Sequence, residues 1–164
     1  MSGRFTSRRT LNVAGFAACA AMMVYALYAE YQLLLQPCPL CSFQRLAVIA
    51  VGLVFLLVAL HGPDGRLRYV YALLIALCAA AGIGIAARHV WLQHLPADQV
   101  PSCGPGLDYL LDSFPLGEAL RLVFSGSGEC ATTDWQFLGL SMPAWVLISL
   151  LVLGTYGLWN NLRR

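Results

Sequence analysis

The chain has 164 residues, of which 59% are hydrophobic and only 11% charged, against roughly 25% charged in soluble domains, so a soluble globular fold is excluded. Its net charge of +2 comes from ten arginines set against eight acidic residues, with no block of basic residues interleaved with aromatics. Nucleic acid is therefore not expected as a partner, and the lipid bilayer is the solvent to reason in.

Four uncharged runs, 10–29, 46–63, 69–87 and 135–162, can each hold an apolar helix of about 17–20 residues, the length a bilayer core requires. They lack the period-2 alternation of a barrel strand, so helices are chosen. The expected architecture is an all-α membrane protein, a single integral domain over 1–164 with four transmembrane helices at about 11–29, 43–60, 70–87 and 143–159. Arg4, Arg8 and Arg9 before the first run resemble the start of a secretory signal. The apolar stretch is longer than the usual 7–15 residues, however, and no clean A-x-A site follows it, so it is read as a retained span.

The spans leave a short loop at about 30–42, a tight turn at 61–68 and a long loop at about 88–142. Arg4, Arg8, Arg9, Arg66, Arg68, Arg163 and Arg164 fall at the termini and the turn, whereas only Arg45, Arg88 and Arg121 fall on the other face. The positive-inside rule then makes both termini cytoplasmic and the two loops periplasmic. In the third span, the small residues from Ala79 through Gly84 suit close helix approach. In the long loop, Pro115 followed by Leu116, Ala119, Leu120, Val123 and Phe124 predicts a short amphipathic helix on the membrane surface. The Ser125-Gly126-Ser127-Gly128 stretch after it reads as the most flexible part of the chain. Trp91, Trp135, Trp145 and Trp159 fit an interfacial aromatic belt.

The six cysteines carry the chemical information. Cys19 and Cys78 lie mid-span and read as packing residues. Cys38, Cys41, Cys103 and Cys130 all lie in the two outer loops, where an oxidising periplasm lets disulfides form. Three pairings are open, and sequence alone does not choose among them. Closing Cys38 to Cys41 restricts so few residues that chain entropy yields only roughly 2 kcal/mol, against roughly 3–4 kcal/mol for Cys103 to Cys130. The CxxC pair thus offers less as a staple and suits a bond that is made and broken.

Cys41 is at or near the N-terminus of the second helix, where unsatisfied N–H groups favour a thiolate. Arg45 follows one turn later, an arginine on the face that the positive-inside trend disfavours. It either snorkels to lipid phosphate or stabilises a Cys41 thiolate or an anionic ligand beside it. Ser42 after Cys41 rules out the C-x-x-C-H haem pattern. The 27-residue separation of Cys103 from Cys130 is no zinc knuckle, so no metal is expected. Thiols at a membrane boundary point to electrons leaving a dithiol relay into something lipid-soluble, and quinone is the natural acceptor.

With these residues in place, the sequence resembles the disulfide bond formation protein B (DsbB) family of bacterial inner membranes, over nearly the whole chain. The resemblance rests on four spans with cytoplasmic termini, Cys38, Cys41 and Arg45 in a CxxC–x₃–Arg element, and Cys103 and Cys130 in the long loop. It extends through the stretch from Asp134 to Pro143 that leads into the fourth span. It implies a relay in which a reduced periplasmic DsbA-like protein of thioredoxin fold attacks a Cys103–Cys130 disulfide at Cys103. Cys130 then exchanges with the Cys38–Cys41 disulfide at Cys38, and Cys41 becomes the thiolate that donates to bound quinone, ubiquinone or menaquinone. Arg45 and His89 are implied as quinone-side residues, whereas His61 and His94 match nothing. Three rival readings stand beside it, one of them a metal-binding membrane protein that elemental analysis would reveal. A vitamin K epoxide reductase-like enzyme has its CxxC near the last helix, the reverse of the order here, and a tetraspan scaffold would make its loop disulfides purely structural.

Overall fold

The computed structural model describes residues 7–63, 65–96, 98–100, 109, 112–126, 128–133 and 135–163. Four long helices dominate it: α1 (Arg8–Tyr31), α2 (Pro39–His61), α3 (Leu67–Gln93) and α6 (Met142–Leu162). All four are long and apolar enough to cross a membrane. Between α3 and α6 the described residues include the shorter helices α4 (Leu116–Ser125) and α5 (Gly128–Ala131), and a two-stranded hairpin of β1 (Gln136–Phe137) and β2 (Leu140–Ser141).

Local chemistry sets the helix ends. The Ser7 hydroxyl accepts the Thr10 amide and caps α1. At α2, Cys38 is itself the N-cap, its Sγ accepting the Cys41 N–H at 3.3 Å, with Pro39 in the first turn. The other end of α2 stops at Gly62 in the left-handed region, φ 54°.

The core is built from Val48, Val51 and Phe55 of α2, Ile75 and Ala79 of α3, and Leu150 and Leu153 of α6. α3 packs most extensively on α6, α1 on α2 and α2 on α3. Close approach is enforced by glycine: a Cβ on Gly82 would come within 2.6 Å of Leu150, and one on Gly15 within 2.8 Å of the Phe55 ring. The small-residue run of α3 is thus used on one face only, because Ala79 and Gly82 are buried while nothing lies within 4 Å of a Cβ on Gly84. Cys19 is buried in the same core, and Cys78 packs against it.

Outside, the surface is inverted relative to a soluble protein. Val24, Leu53, Leu60, Leu73, Leu77 and Val152 are all exposed, as hydrocarbon solvent requires. The chain is a multi-pass, all-α membrane protein.

At the end holding the chain termini, α1 and α6 are joined by buried amides. Asn12 and Asn161 exchange side-chain hydrogen bonds of 3.2 Å in both directions. The Asn160 amide donates to the Arg8 carbonyl at 3.1 Å, and the Tyr156 hydroxyl to the Leu11 carbonyl at 2.8 Å.

Two local features differ from the sequence reading. Phe137 and Leu140 pair across a two-residue turn whose Leu138 and Gly139 both have positive φ, the backbone twist that tight hairpins favour. The Ser125-to-Gly128 stretch is not a loose tether: Gly126 and Gly128 are buried, and Gly126 sits at φ 90°, where a Cβ would meet Leu92 at 2.6 Å. Glycine is there for close approach, while Ser127 lies outside the described residues.

Candidate functional site

The site lies where α2 begins and α3 ends. Along α2, Cys41, Gln44, Arg45 and Val48 follow the i, i+3, i+4, i+7 spacing of one helical stripe, and Cys38 sits just ahead as the cap. The Cys38 and Cys41 sulfurs are 2.9 Å apart, Cys38 donating. From α3, His89 enters with 2% exposure, its Nε2 3.8 Å from Cys38 Sγ and its Nδ1 2.8 Å from the Gln44 amide nitrogen. With the Gln44 amide N–H donating to Nδ1, the ring proton resides on Nε2 and faces the sulfurs.

Cys130 arrives from α5. Its Sγ, the Cys38 Sγ and His89 Nε2 all lie within 4.8 Å of one another, and all three residues are buried. Contact with the Cys130 thiol, then with Cys41, and burial push the Cys38 thiol above the ordinary cysteine range. Cys38 is therefore the group that keeps its proton. Cys103 lies outside the described residues.

What delivers Cys130 is a docked loop. Cys38, Leu40, Leu92, Val123 and Cys130 form a second buried apolar cluster, and Phe43 meets Phe124 of α4 at 5.9 Å between ring centroids. The Arg88 guanidinium, lying over the Trp91 ring, donates to the carbonyls of Ser125 at 3.0 Å and Phe124 at 3.4 Å, closing the C-terminus of α4. Gln93 bonds to the Thr132 carbonyl at 3.4 Å and accepts from Ser141 at 2.6 Å, tying α3 to both sides of the loop.

Arg45 does not bond to Cys41. It forms a hydrogen-bonded ion pair with Glu30 and donates to the Ala26 carbonyl at 3.3 Å. Its charge at the membrane boundary is thereby compensated from α1. Sequence reasoning named Arg45 and His89 but missed Glu30 and Gln44 as their partners. The spacing of Gln44, three residues after Cys41, was the available signal.

Beside the sulfurs opens a cavity of about 120 Å³. Its walls include Met22, Met23, Val48 and Val146, and its polar rim carries Cys41, Gln44, Arg45 and His89. Apolar walls with a few convergent polar groups suit a small, flat organic ligand with polar edges.

The model of the family "Disulfide bond formation protein DsbB" matches residues 8–160. A curated "Disulfide bond formation protein B" of Nitrosococcus oceani is 56% identical over 146 residues, covering 89% of this chain and 86% of the relative. Its counterpart in Methylococcus capsulatus is 52% identical over 160 residues, covering 96% and 98%. That of Saccharophagus degradans is 48% identical over 149 residues, covering 91% and 90%. With the paired cysteines at the head of α2 and the similarity running from α1 to the end of α6, the chain belongs to the DsbB family of membrane disulfide oxidoreductases.

Proposed function

We propose that this chain resides in the bacterial inner membrane with both termini cytoplasmic. There it reoxidises a periplasmic DsbA-like dithiol protein of thioredoxin fold and passes the electrons to membrane quinone, ubiquinone or menaquinone. The observation that carries this reading is the convergence of the loop residue Cys130 on Cys38, beside an apolar-walled cavity rimmed by Cys41, Arg45 and His89.

The relay starts when a thiolate of the reduced partner attacks Cys103 of a Cys103–Cys130 disulfide; the mixed disulfide forms and Cys130 leaves as a thiolate. Cys130 attacks Cys38 of a Cys38–Cys41 disulfide, so the Cys38–Cys130 bond forms, the Cys38–Cys41 bond breaks, and Cys41 leaves as a thiolate. The partner's second thiol resolves the mixed disulfide, and the partner departs oxidised. The freed Cys103 restores its bond to Cys130, releasing Cys38, which takes a proton. Once protonated, Cys38 does not attack the disulfide it has just left.

Cys41, Arg45 and His89 are the residues that would hold quinone, which when bound supplies an acceptor for two electrons and two protons. Arg45, fixed by Glu30 and the Ala26 carbonyl, offers positive charge one turn beyond Cys41. His89 keeps an N–H aimed at the sulfurs through Gln44. As they give up the electron pair, Cys38 and Cys41 return to the disulfide.

Quinone reduction by the purified protein, followed by absorbance with a reduced DsbA-like donor, tests the reading. Wild type turns over, Cys41→Ser does not, and Arg45→Ala requires more quinone for half-maximal rate. Folded protein that reduces no quinone despite intact loop disulfides overturns it.

A further inference from the structure

The relay uses the sulfurs one exchange at a time, yet the fold gathers them with an imidazole into a donor set of a different kind. Cys38 Sγ, Cys130 Sγ and His89 Nε2 are mutually within 4.8 Å and buried, and Cys41 Sγ is beside Cys38 at 2.9 Å. We propose that the dithiol form of this protein binds a soft, tetrahedral divalent ion, Zn²⁺ in the first instance, through Cys38, Cys130 and His89 with Cys41 closing the fourth position, and that the bound ion arrests the protein in its reduced state.

Geometry argues for this. Zinc bonds of about 2.3 Å to sulfur and about 2.0–2.1 Å to nitrogen hold tetrahedral ligand atoms roughly 3.5–3.8 Å apart. The Cys38 Sγ to His89 Nε2 distance is already 3.8 Å. Cys41 must draw back from Cys38 by roughly 1 Å to match, and it lines the cavity into which it would move.

Gln44 is the second, independent observation. A metal-bound histidine needs its other ring nitrogen held by an outer partner, which fixes the tautomer and ring orientation. His89 Nδ1 is 2.8 Å from the Gln44 amide. A half-turn of that amide presents its oxygen to an Nδ1–H and leaves Nε2 with a lone pair aimed at the sulfurs, so the same pair serves the metal-free and metal-bound forms. Thiol and imidazole donors without a carboxylate select zinc-like ions over Ca²⁺ and Mg²⁺. Separation along the chain hides the set, because Cys130 is brought to Cys38 only by loop docking.

Binding displaces the thiol protons and transfers no electrons. A Cys38–Cys41, Cys38–Cys130 or Cys103–Cys130 disulfide removes at least one sulfur ligand, so the site exists only after electrons have entered the protein. This goes beyond the relay and is tested without quinone or partner, so failure of either reading is distinguishable from failure of the other.

The experiment titrates Zn²⁺ against a chromogenic chelator with full-length protein in detergent, reduced by a phosphine or fully oxidised. Reduced wild type is expected to retain a single equivalent that the oxidised protein does not. Cys130→Ser and His89→Ala lose it, and Cys78→Ser, outside the set, keeps it. Gln44→Ala, which leaves every ligand in place, weakens it by roughly 10–100-fold. Equal retention by oxidised protein, or by reduced Cys130→Ser with its helix content intact, overturns the proposal, as does a reduced wild type that holds no zinc against the chelator.

Discussion

The two ends of the bundle solve the same problem with opposite materials. At the end holding the termini, Asn12 and Asn161 answer each other donor to acceptor, and their spare N–H groups go to the carbonyls of Arg8 and Gly157 at 2.8 and 2.9 Å. Among the described residues, only Asn160 Oδ1 in this cluster has no partner. At the CxxC end the polar groups are sulfurs, an imidazole, an amide and a half-buried ion pair, and they are satisfied across three different helices. Amides that complete each other fix helices and have little else to do. Groups able to change protonation or bonding partner must be held without being used up, and Cys130 is brought to them by a docked loop with a single-turn helix, α5, rather than by a fifth long helix.

The contrast can be broken most severely at Cys130. Cys130→Ser abolishes turnover with a protein dithiol donor while the four long helices persist by circular dichroism; residual turnover with that donor would remove Cys130 from the relay. Arg88→Ala is milder. Without the guanidinium on the carbonyls of Phe124 and Ser125, the loop docks less tightly, and the rate with the protein donor falls by about three- to tenfold. Reduction by a small thiol that reaches the CxxC pair directly is unchanged, a split that a general loss of stability would not give.

At the opposite end the signs exchange. Asn12→Ala leaves the Asn161 amide short of a partner and lowers stability by about 1–2 kcal/mol, read from denaturant unfolding in detergent, with turnover at moderate temperature unaltered.

The smallest effect is one of pH. Alkylation needs the thiolate, and the Cys38 pKa is raised by its thiol contacts and burial. In the reduced folded protein its alkylation rate therefore stays far below that of the unfolded chain and keeps climbing with pH through about 9, while in unfolded chain it levels off once pH passes the ordinary thiol range near about 8.5. The unfolded chain then binds fewer protons than the folded one, so reduced protein loses stability as pH rises above that range. Mass spectrometry of trapped peptides follows the first effect and thermal unfolding the second.

Much of this was legible in the sequence. Long uncharged runs leave little choice but four helices, and the cysteines announce themselves by number and spacing. The helix over 116–125 was visible in the spacing of its apolar residues. Pairings between distant residues were not. Gln44 with His89 is a contact across 45 positions and Asn12 with Asn161 one across 149, and no local pattern encodes either. Glu30 was read as a loop residue, yet α1 runs on to Tyr31, which carries its carboxylate to Arg45. Gly126 looked like slack because flexibility and close approach select the same residue, and only Leu92 beneath it tells them apart.

Because Cys38 is the residue that begins α2, its sulfur has a second occupation besides exchange. It receives the Cys41 amide, one of the donors that a helix start leaves without an internal partner. Each exchange re-aims that sulfur toward a new bonding partner, so it also bears on the first turn of the helix behind it. Oxidation state is thereby written into the backbone, as protection of a few amides against solvent hydrogen, at the point where the bundle meets the loop that feeds it.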